Sequence, residues 1–527
     1  MKKHCKILVA LHLLAMQLCA QTPVSPDKLY GRLFHDVQMA RLFPDSKTFA
    51  DCSPRKAPAE IVAAYNKIMA NPAIRFSLKL FVEENFILPL TPQLTYITKE
   101  KDIEQHINNI WGLLRRPADS ASNTGSLLPL PYPYMVPGGR SREMYYTDSY
   151  YMMLGAAQHG EELLLEDMVK NFAYLIDSFG YIPTGNRSYY LGRSQAPVFA
   201  LMVDMLATLK GDSAYSTYLP QLEKEYNYWM QGSAKLAPMH AAKNCVRLRD
   251  GSILNRYWDE QDTPRPEAYY EDVSLTARLS APAAKRVYRE LRAASTSGWN
   301  GSSRWLTDKK NPGSLQVTQL IPVDLNCLLY QLELVIAKGK LLQRDDAAVA
   351  AFRQKASLRL AAIDKYCWNK RLNFYTDYNF VQNRQSAVIT AAGIYPFCFF
   401  DQKPDYMSLL ARKAGDVVKT SLLKEGGIQA STITGTQPWD APNGWPALQW
   451  MMVWGLHRCG QKELARTIIK KWIDLNRNVF ERTGRLMTAY NVADVQAPAV
   501  GMDDSLQAAV GATGGVYLQL LKMIGKQ

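Results

Sequence analysis

Two kinds of helical stretch alternate along this chain, and the alternation limits the possible folds more than any other feature. Glu161 to Ser178 places Leu165, Met168, Val169, Phe172 and Ile176 on one face, sets charges opposite, and stops at Gly180. Gln195 to Leu209 (QAPVFALMVDMLATL) is apolar nearly all round, with Pro197 near its first turn and Gly211 as its stop. A helix with one apolar stripe lies on a surface, whereas one that is apolar on every side is buried. The pairing recurs: buried-type Ile321 to Ala337 precedes amphipathic Asp345 to Lys365, and buried-type Ser386 to Cys398 precedes Tyr406 to Val418. Ala447 to Leu456 then precedes Lys462 to Leu475. Inner helices alternating with outer ones predict an all-α toroid. The pairs share almost no sequence, so the repeat is one of pattern rather than of residues.

A ring of this kind lets one domain reach a length that otherwise suggests several. Met1 to Ala20 has a basic start, an apolar run from Ile7 to Leu18 and small Ala20 before Gln21, which reads as a Sec signal peptide on an exported protein, periplasmic or extracellular. The run is too short to span a bilayer, and no later stretch reaches that length, so no membrane span is expected. Met16, Gln17 and Leu18 are a poor lipoprotein context for Cys19. The expected division is residues 1–20 as leader, 21–134 as an N-terminal extension wrapping the helical body, and 135–527 as the toroid.

Loss of the three leader lysines lowers the formal charge from +14 to +11. The remaining basic residues are scattered among Asp and Glu with no basic stripe, so nucleic acid is not an expected partner. Cys52, Cys245, Cys327, Cys367, Cys398 and Cys459 are widely spaced without a CxxC, and no histidines pair at ligand spacing. No metal or cofactor is expected, and no disulfide pairing can be assigned.

Five loops concentrate charge beside aromatic rings: Pro137 to Leu154 (PGGRSREMYYTDSYYMML), Pro183 to Gln195 (PTGNRSYYLGRSQ), Asn255 to Glu267 (NRYWDEQDTPRPE), Ser297 to Trp305 (SGWNGSSRW) and Gln437 to Trp450 (QPWDAPNGWPALQW). Flat rings beside Arg and carboxylate suit a polar, ring-shaped ligand such as a sugar. Their arrival at inner-helix ends predicts one shared pocket.

PGGR with Glu143 and Asp148-Ser149-Tyr150, and Trp439-Asp440-Ala441-Pro442-Asn443-Gly444-Trp445, resemble the two signature stretches of the inverting α,α-trehalase family. GNRSYY, DTPRPE and SGW-x-x-SSRW match in the same order, and the likeness runs from about Leu33, just before HDVQMARLFPDSKTFAD, to about Leu518. The resemblance implies an (α/α)6 toroid that hydrolyses trehalose to two glucoses with inversion. It also assigns Arg140, Asp148, Arg193, Ser194, Gln195, Arg265, Glu267 and Gly298 as sugar-contacting residues, with Asp503 standing where the closing loop carries a glutamate. The alternative for the charged members is that Arg140, Asp148, Arg265 and Glu267 pair with one another and hold the toroid shut.

Inverting hydrolysis needs two carboxyl groups across the scissile bond, one to protonate the leaving oxygen and one to activate water. The family's acid follows the SGW tripeptide, where this chain has Asn300; its base lies in an L-x-E-x-Y run, where this chain has Thr488. Neither side chain ionises at neutral pH. Ser141 and Thr147 replace two sugar-stacking rings, Thr184 replaces an asparagine, and the closing loop QDGFGWTNG reads Gln507 to Gly515 as QAAVGATGG. The expectation is an inactive or nearly inactive trehalase-fold protein with a cleft for a small neutral saccharide, trehalose or another disaccharide. The alternatives are an active glycosidase using Asp503, Asp504, Glu143 or Glu267 as relocated carboxylate, and a structural toroid with no ligand.

Overall fold

The computed structural model describes residues 23–525 apart from 72, 74, 91–95, 97, 121–124, 401–404 and 504–506. The leader expected at residues 1–20 and the carboxylate Asp504 lie outside the described residues. Among those described, six helices form an inner ring: Tyr146–Ala156, Phe199–Lys210, Val323–Leu342, Tyr395–Phe399, Pro446–Arg458 and Gly511–Gly525. Each packs on the next, and the last packs on the first, which closes the ring. An outer helix precedes each in the chain: Ile103–Leu114, Glu162–Phe179, Leu219–Trp229, Asp346–Cys367, Asp405–Val417 and Lys462–Thr483. The architecture is the (α/α)6 toroid.

The two helix types behave as their composition dictates. Val323–Leu342 is buried along most of its length, while Glu162–Phe179 buries the stripe of Leu165, Met168, Val169, Phe172 and Ile176 and is closed by left-handed Gly180. One expected helix is shorter than its apolar composition suggests. Over Ser386 to Cys398, helical turns begin only at Ala391, because Thr390 bridges Ser431 and the Ala391 amide donates to the Ala430 carbonyl at 2.9 Å. Backbone groups engaged by a neighbouring chain segment cannot also serve a helix.

Gly511–Gly525, whose start was expected to be part of a closing loop, is instead an inner helix. Its glycines allow it to lie almost against the Tyr146–Ala156 helix. A Cβ on Gly515 would stand 2.2 Å from the Tyr151 carbonyl oxygen, so only glycine fits there.

The N-terminal segment contributes two kinds of packing. Leu33, Phe34, Phe49, Val82 and Phe86 form a separate apolar cluster that meets the ring at Tyr189 and Tyr190. Ile107, Trp111 and Leu114 belong to the main core. The six cysteines among the described residues are all free thiols. No helix among those residues is long and apolar enough to cross a membrane, and no group of three or more His, Cys, Asp or Glu side chains could hold a metal ion.

Candidate functional site

All five charged and aromatic loops reach one cavity of about 610 Å³. That volume is within the roughly 300–1,000 Å³ range of small-molecule sites. The first loop enters through a tight turn in which the Ser141 amide donates to the Gly138 carbonyl at 2.9 Å. Gly138, at φ +102°, packs against the closing run, where an added Cβ would lie 2.9 Å from the Ala508 carbonyl oxygen. The turn presents Arg140 and Ser141 to the cavity, and the first turn of the Tyr146–Ala156 helix presents Thr147 and Asp148.

The second loop is tied to the first. Asn186 accepts from the Met144 amide at 2.7 Å, and Gln195 Oε1 accepts from both the amide and the hydroxyl of Thr147 at 3.0 Å. Buried Arg193 pairs with Asp259 at 3.1 Å and with Glu267 through a very short contact. Arg265 forks onto Asp272 at 2.6 and 2.9 Å and donates to Ser295 at 2.7 Å. Burial opposes ionisation of Glu267, but the Arg193, Arg265 and Arg292 guanidiniums outweigh it and hold the carboxyl below its usual range.

Gly298 at φ +78° turns the fourth loop so that Trp299 and Asn300 line the cavity. Asp440, fully buried, accepts from the Ser303 amide at 3.0 Å and the Ser302 hydroxyl at 3.1 Å, which joins this loop to the fifth. Arg304 is held between Asp324 at 2.8 Å and Asp377 at 2.7 Å. Trp439 stacks between Trp445 at 3.8 Å and Trp299 at 5.0 Å between ring centroids. Thr488 is placed by Gln507, whose main-chain and side-chain oxygens each accept from its amide at 3.1 Å. Thr488 and Asp503 both line the cavity.

Of the residues expected to touch a sugar, Arg140, Asp148, Arg193, Gln195, Arg265, Glu267, Gly298 and Asp503 line the cavity, together with Asn300 and Thr488. Ser194 does not; it is buried and its hydroxyl donates to the Gln195 carbonyl at 3.1 Å. The charged residues do not all neutralise one another. Arg193 takes Glu267 and Arg265 takes Asp272, whereas Arg140 and Asp148 make no ion pair or hydrogen bond among the described residues. Asp148 lies deep in the molecule yet opens onto the cavity, and burial alone pushes its carboxyl up to about 6. Arg193 Nε, Glu267 Oε2 and Thr184 Oγ1 are also buried without a partner among the described residues. Such a wall offers hydrogen bonds of both polarities to a polyhydroxyl ligand.

Tyr145 and Tyr190 line the cavity from the first and second loops, as their composition implied, whereas Lys47 reaches it from outside all five. Lys47 comes from the N-terminal segment, within the DSKTF part of the run that first carries the resemblance, and that run was its only signal. The closing run is thin. Thr488, Asp503 and Ala509 face this cavity, while Met487, Ala489, Ala508 and Val510 face a second hollow of about 700 Å³.

Fold and site together define a toroid of the glycoside hydrolase type. The profile of the trehalase family matches residues 41–525, and the chain belongs to that family. It is 42% identical over 503 residues to a periplasmic trehalase of Escherichia coli strain SMS-3-5 / SECEC, covering 95% of this chain and 88% of the relative. The periplasmic trehalase of Escherichia coli strain K12 matches at the same identity and coverage. Among solved structures, the neutral trehalase of Saccharomyces cerevisiae superposes with a TM-score of 0.59 at 22% identity, over 81% of this chain and 80% of the other. A mannosylglycerate hydrolase from Thermus thermophilus gives 0.52 at 15% identity, over 79% and 99%. These two likenesses concern the fold.

Proposed function

We propose that this chain is an exported member of the trehalase family that binds a small neutral disaccharide, trehalose or a close analogue, and hydrolyses it slowly or not at all. The observation that carries this reading is the make-up of one cavity wall. The family's sugar-contacting positions line it almost complete, but the two positions assigned to acid and base are Asn300 and Thr488. An amide cannot protonate a leaving alkoxide, and a threonine hydroxyl cannot take a proton from water at neutral pH. Loss of a general acid or base lowers rate by about 10²- to 10⁴-fold, and the loss of both together is not simply the product. Export rests on the leader-like Met1 to Ala20, and the periplasmic relatives support it.

The test pairs calorimetric titration of trehalose with a glucose-release assay on the parent and on the Asn300→Asp/Thr488→Glu variant. The parent is expected to bind without turnover, and the variant to release glucose. Sustained glucose release by the parent at ordinary enzyme rates overturns the reading.

A second reading, hydrolysis by relocated carboxylates, is favoured by Asp503 in the cavity wall, at the position where the family's closing loop carries a glutamate. Glu143 is a poor candidate because Lys47 and Arg187 hold it away from the cavity, and Glu267 is engaged by Arg193. In this reading Asp148, protonated at mildly acid pH, faces the leaving oxygen and Asp503 activates water. An Asp503→Ala variant that turns over substrate as fast as the parent removes it.

A further inference from the structure

We infer that Lys47, carried by the N-terminal segment rather than by the ring, is a positioning residue of the saccharide cavity that sets the Tyr145–Tyr190 wall through Glu143. The inference rests on the saccharide-binding reading above for its ligand, and on geometry for everything else.

Lys47 lies in the short helix Ser46–Ala50 and is 2% exposed. Its ammonium donates to Asp51 Oδ2 at 2.6 Å, Glu143 Oε2 at 2.8 Å and the Tyr189 hydroxyl at 3.0 Å. An ammonium has three donors, so this set leaves none for a ligand. Although Lys47 lines the cavity, it therefore acts through its neighbours.

Charge balance does not account for it. The buried cluster holds Lys47, Arg142 and Arg187 against Asp51 and Glu143, and the two arginines alone would match the two carboxylates. Arg142 reaches Asp51 at 3.0 Å, while Arg187 stands 3.4 Å from Asp51 and 3.5 Å from Glu143. Lys47 is the cation that grips both carboxylates closely. A third buried cation carries a desolvation penalty, so its contribution is to orientation.

The oriented group is Glu143. Its Oε1 accepts from the Tyr190 hydroxyl at 3.3 Å, and the Tyr190 and Tyr145 hydroxyls share a short hydrogen bond. Both rings line the cavity. Tyr145 is the N-cap residue of the helix that carries Thr147 and Asp148, and the Arg193 guanidinium sits 5.2 Å over the Tyr190 ring. The chain of contacts thus runs from the N-terminal segment to the N-cap of the helix that carries Asp148, and to Arg193 on the second loop.

The experiment uses the full chain, trehalose as probe, and hydrogen–deuterium exchange as a readout that needs no ligand. Lys47→Met leaves the two arginines matched to the two carboxylates and is expected to fold. Trehalose affinity should fall about ten-fold or more. Amide exchange should quicken in 140–148 and 183–193 while the rest of the ring keeps the parent's protection. A Lys47→Met protein with parental affinity and parental exchange overturns the inference, and so does a uniform rise in exchange, which marks a purely structural role. If Lys47→Met fails to fold, Tyr190→Phe decides: it keeps the ring, removes the relay hydroxyl, and should weaken binding about three-fold. Parental affinity in Tyr190→Phe overturns the inference. If the parent binds no trehalose, the saccharide reading fails, and the exchange pattern still decides the positioning role.

Discussion

The stretch from Arg140 to Asp148 holds two pairs of charges with opposite fates. Arg142 and Glu143, in its middle, are tied into the cluster with Lys47, Asp51 and Arg187, and Glu143 is fully buried. There burial pushes the Asp51 carboxyl up, but Arg187, Lys47 and Arg142 outweigh it and hold it down at about 2. Arg140 and Asp148, at its ends, face the cavity without partners among the described residues, and Asp148 is pushed the other way. The same residue types within nine positions are scaffold where they are mutually satisfied and site where they are not. Burial alone does not separate the two roles; partnership does.

The comparison is broken most severely from the scaffold side. Glu143→Ala leaves Lys47 and Arg187 short of a carboxylate in the interior, and denaturant melts should show a loss of about 3–5 kcal/mol. Arg140→Ala should leave the melt within about 0.5 kcal/mol of the parent while calorimetry shows trehalose binding lost. Equal stability losses in the two variants would erase the distinction.

A buried acid away from both regions sharpens it next. Glu225 is fully buried, accepts from the Tyr146 hydroxyl at 2.5 Å, and has its other oxygen without a partner among the described residues; burial pushes its carboxyl from 4.5 to about 8. Because the folded-state value is raised, the protonated acid's contribution is full below pH 4.5 and is lost as pH rises toward about 8. Thermal melts of Glu225→Gln should therefore gain on the parent across that window, by about 2–4 kcal/mol at its upper end.

Asp148 should give a smaller, ligand-dependent effect. With its carboxyl at about 6, the free protein is mostly ionised at neutral pH and mostly protonated in mild acid. Sugar hydroxyls that donate to the carboxylate favour the ionised form. Trehalose affinity should rise about ten-fold between pH 5 and pH 7.5, with proton release on binding, and Asp148→Asn should flatten the profile. Smallest is Ser141→Phe, which restores one ring to the wall and should strengthen binding by about 0.5–1.5 kcal/mol.

The buried helices were legible wherever apolar residues run all round, as at Phe199–Lys210 and Val323–Leu342. Two inner helices were not. Tyr146–Ala156 begins with tyrosines, Thr147 and Asp148 because it faces the cavity as well as the core, so its polar positions obscure the helical period. Gly511–Gly525 begins with glycines that weaken helix propensity and permit close packing on Tyr151. The five loops announced the cavity, since charge beside aromatic rings recurs in all five and all five reach it, although part of that charge is spent on scaffold pairs such as Arg304 with Asp324 and Asp377. Lys47 was invisible to such reasoning: its part depends on a contact across 96 residues of chain to Glu143, which no local pattern encodes.

Closure of the ring by its first and last helices also sets an order in time. Gly511–Gly525 is the last of the six inner helices along the chain, and it is the neighbour against which Tyr146–Ala156, the first of them, must rest. The cavity draws on residues from Lys47 to Ala512, so no partial chain contains it. Contacts of such long sequence separation form late. On the export route proposed above, a chain threading through a membrane pore from its N-terminus stays open until its last inner helix has crossed. On that route the cavity would be completed only on the far side of the membrane.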